Sequence, residues 1–320
     1  MQTTDYQYLD VITTKHSSMH DLKTNFDKFH DLTKEYLSAE LDHHDNTMAY
    51  RRRPRMSDST IIALSVCQEA LGIDSENHFH SKLKAEYGND FPGLVHITRY
   101  NARRKRLAPF IQLLNQRMAA EMSEGEDFYI VDSMPVPICK NARENRLKAC
   151  RQVFETAPDK GYSAVNGQYF IGYKLHTVVS LRGVVHCTDL SKASVHDLHY
   201  LNDVKYSGLN NCTLLGDKGY LSAEVQTDLF SSAGIQLQTP MRSNQKDLRP
   251  FPFVFKKCRK RIETLFSQLC DQMMIKRNYA KTFVGLSVRM ISKIAATTTL
   301  QMLNLRNGRP INHIKHALAA

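Results

Sequence analysis

The sequence predicts a mixed α/β protein in consecutive parts: an all-α segment over residues 1–123, an α/β segment over 124–305 and a short tail over 306–320. Three observations predict it. Through the first third, apolar residues recur at helical spacing and no strand pattern appears. From residue 128 the pattern switches to near-continuous apolar runs, as in strands covered on both faces. Two of those runs end on an aspartate, Phe128-Tyr-Ile-Val-Asp132 and Cys212-Thr-Leu-Leu-Gly-Asp217.

In the first segment, Ser57 is a helix N-cap and Gly72 a stop, with Ile61, Leu64 and Leu71 between them. A second helix starts at Ser75 with Phe79 and Leu83 inward, so the pair has the outline of a helix-turn-helix. Pro92-Gly93 breaks the pattern. Ile111, Leu114, Met118 and Met122 then stripe one face of a further helix. The polar break Ser123-Glu-Gly-Glu-Asp127 marks the boundary.

Beyond it, Phe128–Val136 reads as a first strand, and 137–168 shows no clear strand. Tyr169–Ser180 and Val184–Leu190 form a hairpin turning at Leu181-Arg-Gly183. Asp197–Val204 follows as a helix, Cys212–Asp217 as a strand, Ala223–Ser231 as a helix, and Ile235–Pro240 as a fifth strand. From Phe255 the chain is helical again. Three strands, helix, strand, helix, strand, helix is the order of a ribonuclease-H-like fold with a mixed five-stranded sheet and flanking helices.

Hydrophobic residues make up 42% of the 320, enough for a substantial core, which excludes a disordered chain. The formal net charge of +11 is clustered and points to a polyanionic partner, nucleic acid first. No apolar run approaches the roughly 18 residues of a membrane span. The first residues lack the basic start and apolar stretch of a signal peptide, so a cytoplasmic location is expected. Seven cysteines without a CxxC argue for reduced thiols rather than disulfides or structural zinc.

The acidic residues carry the chemistry. Asp132 and Asp217 end strands, and glycines flank the second in Gly216-Asp-Lys-Gly-Tyr220, where a tight turn is expected. Glu263 lies at the border of the stripe Ile262, Leu265, Phe266, Leu269, Met273 on a helix whose preceding turns hold Lys256, Lys257, Arg259, Lys260 and Arg261. Such a density of cations repels itself unless phosphates neutralise it. Oxygen donors from two strand ends and a helix suit hard divalent cations, and a pair of these clamps both oxygens of a phosphodiester displacement. Asp159 repeats the Asp-Lys-Gly-Tyr tetrapeptide without a preceding strand and is left out of the site. Arg51-Arg-Arg-Pro-Arg55, and Arg99 with Arg103-Arg104-Lys-Arg106, are further basic clusters; the second is a candidate DNA contact. His196 and Asp197 follow the third strand, at the rim of the expected site. His196 and His199 have no third ligand for a metal.

The blocks Val131-Asp-Ser-Met-Pro135, Gly172-Tyr-Lys-Leu-His176, Leu190-Ser-Lys-Ala-Ser-Val-His-Asp197, Leu215-Gly-Asp-Lys-Gly-Tyr220 and Arg259-Lys-Arg-Ile-Glu-Thr-Leu-Phe-Ser-Gln268 occur in this order. With Arg55-Met-Ser-Asp-Ser59 and Glu155–Tyr162, they make the chain resemble DDE transposases of bacterial insertion sequences, most closely insertion-sequence family 982. The resemblance implies that Asp132, Asp217 and Glu263 are the catalytic and metal-binding triad of a ribonuclease-H-like domain using two Mg²⁺ (or Mn²⁺) ions. It implies double-stranded DNA partners, the element's terminal repeats and its target. It also implies a homodimer at the synapsis of two ends, no membrane, and work at the bacterial nucleoid. One departure is visible. Related transposases often place Lys or Arg seven residues after the Glu, where this chain has Cys270; Arg259 or Lys260, one turn before the Glu, offers a substitute. A nuclease without strand transfer, or a non-catalytic DNA-binding derivative, would share much of this pattern.

Overall fold

The computed structural model describes residues 21–163, 167–241 and 250–318. Residues 1–20 of the expected helical segment and the last two of the tail lie outside these. Among the described residues five helices come first: α1 (Leu22–Tyr36), α2 (Asp58–Ala70), α3 (Glu76–Glu86), α4 (Ile97–Arg106) and α5 (Ala108–Met122). Local chemistry sets their ends. The Thr60 N–H donates to the Ser57 hydroxyl at 3.2 Å and the His78 N–H to the Ser75 hydroxyl at 3.2 Å, each satisfying a donor that the first helical turn leaves free. Gly72 closes the turn after α2 at φ 68°.

The sheet follows. Its strands are β1 (Phe128–Cys139), β2 (Asp159–Ser163), β3 (Gln168–Ser180), β4 (Val185–Lys192), β5 (Thr213–Leu215) and β6 (Gln236–Gln238). β1 sits in the middle, antiparallel to β3 on one side and parallel to β5 on the other. β6 extends the sheet parallel to β5, while β4 and β2 share the far side of β3. α6 (Leu201–Val204) and α7 (Ala223–Ala233) cross over between the parallel strands. α8 (Phe253–Asp271) and the long α9 (Phe283–Arg306) finish the fold. The whole is a mixed α/β structure consistent with a ribonuclease-H-like domain.

Two expectations need correcting. The sheet has six strands among the described residues, because β2 pairs with β3. Its sequence Asp-Lys-Gly-Tyr-Ser has no apolar pattern; it joins an edge through backbone hydrogen bonds, which leave little trace in composition. The helix expected at 197–204 begins as a 3₁₀ turn, Asp197–Tyr200, and becomes α-helical only at Leu201.

Residues on β1 alternate between two cores. Ile130, Met134 and Val136 pack with Ile262 and Leu265 of α8 and with α9. Tyr129 and Val131 pack with Leu201, Val204 and Leu229 of α6 and α7. Among the described residues, the helices before residue 123 share their core with the sheet: Phe29, Ile61, Leu64, Leu114 and Met118 belong to the same cluster as its α8–α9 face. The segment after α9 is also packed down, with Ile314 and Ala317 buried.

A buried charge network reinforces that union. The Glu69 carboxylate of α2 accepts from Arg104 of α4 at 3.0 Å, Arg289 of α9 at 3.0 Å and Lys293 of α9 at 2.7 Å, and all four side chains are essentially inaccessible. Glu76 adds a second carboxylate to Arg104 at 2.6 Å. Burial pushes the Glu69 carboxyl up, but Lys293, Arg289 and Arg104 more than offset it and hold the group below its ordinary value. Removing one partner strands the others in a low-dielectric interior. Glu69→Gln is therefore expected to lower unfolding free energy by about 3–5 kcal/mol in chemical denaturation. A loss below about 1 kcal/mol, the value of an exposed pair, would contradict the network's role.

Candidate active site on the central strand

Alternation fixes where Asp132 points. Ile130 and Met134, two residues before and after it, lie in the α8–α9 core, so the Asp132 carboxyl projects from that same face. Its Oδ1 accepts the Ser133 N–H at 2.8 Å, and Oδ2 stands 3.7 Å from the Arg259 guanidinium of α8. Directly across the strand pair sits Thr177, fully buried, with a hydroxyl that has no partner.

Asp217 lies just past β5, the parallel neighbour of β1. It caps the 3₁₀ turn Lys218–Tyr220, its Oδ1 accepting the Gly219 N–H at 2.7 Å. The turn works differently from the sequence expectation. Neither Gly216 nor Gly219 has a left-handed backbone. Gly219 is needed for space, since a Cβ there would lie 2.9 Å from Asp217 Oδ1. Tyr220 is buried, its hydroxyl without a partner, within electrostatic reach of Asp197, Asp132 and Asp217.

These groups act on one another. Burial pushes the Asp132 carboxyl up to about 6; the Ser133 N–H and Arg259 oppose the rise, while Asp217 and Asp197 reinforce it. Asp197 is held by the Lys174 ammonium at 2.9 Å, and the same ammonium donates to the Val195 carbonyl at 2.9 Å. His196 turns away, its Nδ1 accepting the Leu198 N–H at 3.2 Å. His176 stacks on Tyr200 at 5.0 Å and meets the Ser191 hydroxyl at 2.7 Å. Burial lowers its pKa to about 4, with Asp197 opposing and Lys174 adding, so it is neutral near pH 7.

Glu263 lies one turn beyond Arg259 on α8, between the buried Ile262 and Leu265 turns, and is exposed. Among the described residues it makes no hydrogen bond or ion pair, and no three His, Cys, Asp or Glu side chains stand grouped to hold a metal ion. The structure thus brings Asp132, Asp217 and Asp197 into mutual influence and leaves Glu263 on the adjoining helix. The donor set still suits a hard cation: the raised Asp132 carboxyl has two further aspartates within electrostatic reach, and an arginine occupies the flank where positive charge is favoured. Asp159 is engaged elsewhere, accepting the Ser194 N–H at 2.9 Å. Cys270 faces Lys276; burial raises its thiol and the ammonium opposes the rise.

The expected DNA contacts divide by exposure. Lys256, Lys257, Lys260 and Arg261 are exposed, as is Arg99. Arg259 is half-buried against Asp132. Arg103 and Arg104 need correcting. Arg104 is sealed between Glu69 and Glu76, and Arg103 binds Asp58 and the Met56 carbonyl, which accepts at 2.6 Å. Both point inward because α4 lays Tyr100, Arg104 and Leu107 on the core at helical spacing. Sequence reading also missed Lys174 and Tyr220 as members of the site. Both lie in blocks that carry the resemblance, but their partners become visible only once the strands are paired.

Comparison with known families matches residues 123–299, more than half of the chain, to the transposase DDE domain. The chain belongs to the DDE transposase family. That places it among the transposases of mobile elements, a family that acts on DNA and generally uses divalent metals. The match opens at the boundary before β1 and runs into α9, so it includes Asp132, Asp217 and the whole of α8. No curated protein matches the chain. No helix among the described residues is long and apolar enough to cross a membrane.

The raised Asp132 carboxyl has a measurable consequence. Its folded pKa of about 6 exceeds that of an unfolded aspartate, so folding favours the protonated form. The associated stability is full below about pH 4 and is lost as pH rises through about 6. Asp132→Asn is therefore expected to stabilise the metal-free protein by up to about 3 kcal/mol near pH 7.5 and to be neutral near pH 4. Thermal melts of both proteins across this range check it; equal melting points near pH 7.5 would contradict the burial of a charged carboxyl here.

Proposed function

We propose that the protein is a DNA transposase that cuts the ends of an insertion sequence and joins the freed 3′-OH to target DNA, with Asp132, Asp217 and Glu263 as its acidic triad. The observation that carries this reading is the electrostatic proximity of Asp132, on β1, and Asp217, just past the parallel neighbour β5, under a helix that presents Arg259 to the first of them. The matched family supports it. The resemblance to insertion-sequence family 982 gives the finer placement.

Asp132 and Asp217 would hold two Mg²⁺ or Mn²⁺ ions, with Glu263 completing the set. When bound, the ions supply Lewis acidity toward the attacking oxygen and stabilise the charge of the departing one. The chain's own residues do the rest. Thr177 and Tyr220 wall the site with buried hydroxyls, and Lys174 keeps Asp197 in place beside it. Arg259 exchanges Asp132 for a phosphate of the incoming strand, which frees the carboxylate. A water oxygen attacks the phosphorus at the element end; the P–O3′ bond breaks and leaves a 3′-OH. That hydroxyl then attacks a target phosphodiester in the same in-line fashion, displacing the target's 3′-oxygen. No covalent protein–DNA bond is needed.

DNA is held by Lys256, Lys257, Lys260 and Arg261 beside the triad and by Arg99 on the helical segment, and two copies work together at the paired ends. Residues 1–123 serve end recognition, with α2 and α3 as the helix-turn-helix; residues 124–305 carry the chemistry, and 306–320 form the tail. The protein works at the nucleoid.

Duplexes from the DNA flanking the gene, incubated with Mg²⁺ or Mn²⁺ and a target plasmid, test the reading. Cleaved ends and joined products are expected. Asp132→Asn, Asp217→Asn and Glu263→Gln should each reduce both by more than about 100-fold while leaving DNA affinity within roughly threefold. Asp159→Asn should stay active. Cleavage without joining would assign a nuclease, and end binding by a wild type that neither cuts nor joins a non-catalytic derivative. Wild-type rates in Asp217→Asn would overturn the triad.

The exposed α8 cations yield a separate expectation. Lys256→Ala combined with Lys260→Ala should weaken binding to element ends and random duplexes by similar factors. The slope of log affinity against log salt should fall by about one unit for each phosphate that is no longer neutralised. An unchanged slope would remove α8 from the DNA interface.

A further inference from the structure

The β2–β3 hairpin carries features that duplex cleavage does not use. Tyr162 and Tyr169 are directly paired across the hairpin, their rings edge-to-face at 5.2 Å, and each is more than half exposed, at 54% and 56%. The ladder holding β2 in the sheet needs only backbone groups, so these rings stabilise little that a smaller side chain would not. The Lys160 ammonium lies 5.0 Å above the Tyr169 ring. Nearby, Phe154 is 85% exposed with the Lys192 ammonium 5.2 Å above it.

Beside the hairpin opens a cleft of about 620 Å³, floored by Pro135, Pro137, Ile138 and Phe170, bordered by Tyr169, and edged by Lys140 and Lys276. That volume suits a nucleoside-sized group. The surroundings are basic. Lys140, Arg143, Arg146, Lys148, Arg151 and Lys160 face only Glu144, Glu155 and Asp159 over the same stretch, and Asp159 is occupied by Ser194. The cleft adjoins the strand that carries Asp132: Pro135 follows it by three residues, about 10 Å along β1. Gly172 keeps hairpin and strand in register, since a Cβ there would lie 2.3 Å from the Val136 carbonyl oxygen.

We propose that this hairpin and cleft form a stacking site for an unpaired nucleotide of a DNA strand, one base lying on the Tyr162–Tyr169 platform while Lys160 and the cleft-edge lysines hold its phosphates. Exposed aromatic rings interleaved with cations are how proteins bind single strands without reading sequence. A duplex has no free base face to offer, so the platform selects unpaired positions. The inference rests on the proposed action on DNA, but not on the acidic triad.

Fluorescence of short oligonucleotides carrying one 2-aminopurine tests it, as a single strand, as a perfect duplex, and as a duplex with one unpaired 2-aminopurine. The expected result is quenching on binding of the single strand and the unpaired position, with little change for the perfect duplex. Tyr162→Ala with Tyr169→Ala should weaken single-strand binding about tenfold or more. The salt slope should stay unchanged, because the rings touch no phosphate. Tyr162→Phe with Tyr169→Phe should retain binding, which separates stacking from hydroxyl contacts and from misfolding. Lys160→Ala should instead lower the slope. Duplex binding with single-strand binding indifferent to both tyrosines would overturn the stacking site while leaving the transposase reading intact. Binding of no DNA form would overturn both. Dissociation of a dimer by the double alanine change would assign the platform to a second copy and overturn the proposal.

Discussion

Everything about the candidate site depends on β1 being covered on both faces. Ile130, Met134 and Val136 are committed to one core, Tyr129 and Val131 to the other, and a strand has no third direction. A polar residue at 132 must share the face of its even-numbered neighbours, and that is the face α8 crosses. Burial then raises the Asp132 carboxyl, and Asp217, delivered by the parallel partner strand, raises it further. The same packing that stabilises the sheet creates a negative locus that calls for a cation. Arg259 supplies the nearest positive charge, at 3.7 Å, too far for a good charge-assisted hydrogen bond and so readily exchanged.

The helical segment is joined to this unit by charge as well as by apolar contact. Glu69 gathers cations from α4 and α9, and Lys293 of α9 also donates to the Met273 carbonyl just beyond α8 at 2.5 Å. One connected set of buried polar groups therefore runs from the N-terminal helices to the end of the helix that carries Glu263. The helical segment and the candidate site thus share one continuous scaffold. No hinge between separately cored units is needed.

Much of this was legible in the sequence because it is written in local patterns. The caps at Ser57 and Ser75, the hairpin at Gly183 and the strand that stops just before Asp217 all depend on neighbours within a few residues, whereas the strand expected to end at Asp132 runs on through it to Cys139. What was illegible depends on distant partners. Arg103 and Arg104 read as a solvent-facing cluster, since Asp58 and Glu69, which bury them, are 45 and 35 residues away. β2 escaped notice because pairing to an edge requires no apolar side chains. Asp197 was suspected of a supporting role, but its holder Lys174 emerges only when β3 and the Val195 turn are brought together.

The central claim is that Asp132 and Asp217 form the core of a cation site completed by Glu263 from α8. Titration of Mn²⁺ into the full chain, followed by electron paramagnetic resonance of the free ion, tests it most directly and requires neither DNA nor turnover. The account predicts saturable binding that Asp132→Asn and Asp217→Asn each abolish, that Glu263→Gln weakens, and that Asp159→Asn leaves unchanged. Mn²⁺ binding of wild-type strength in both Asp132→Asn and Asp217→Asn would contradict it.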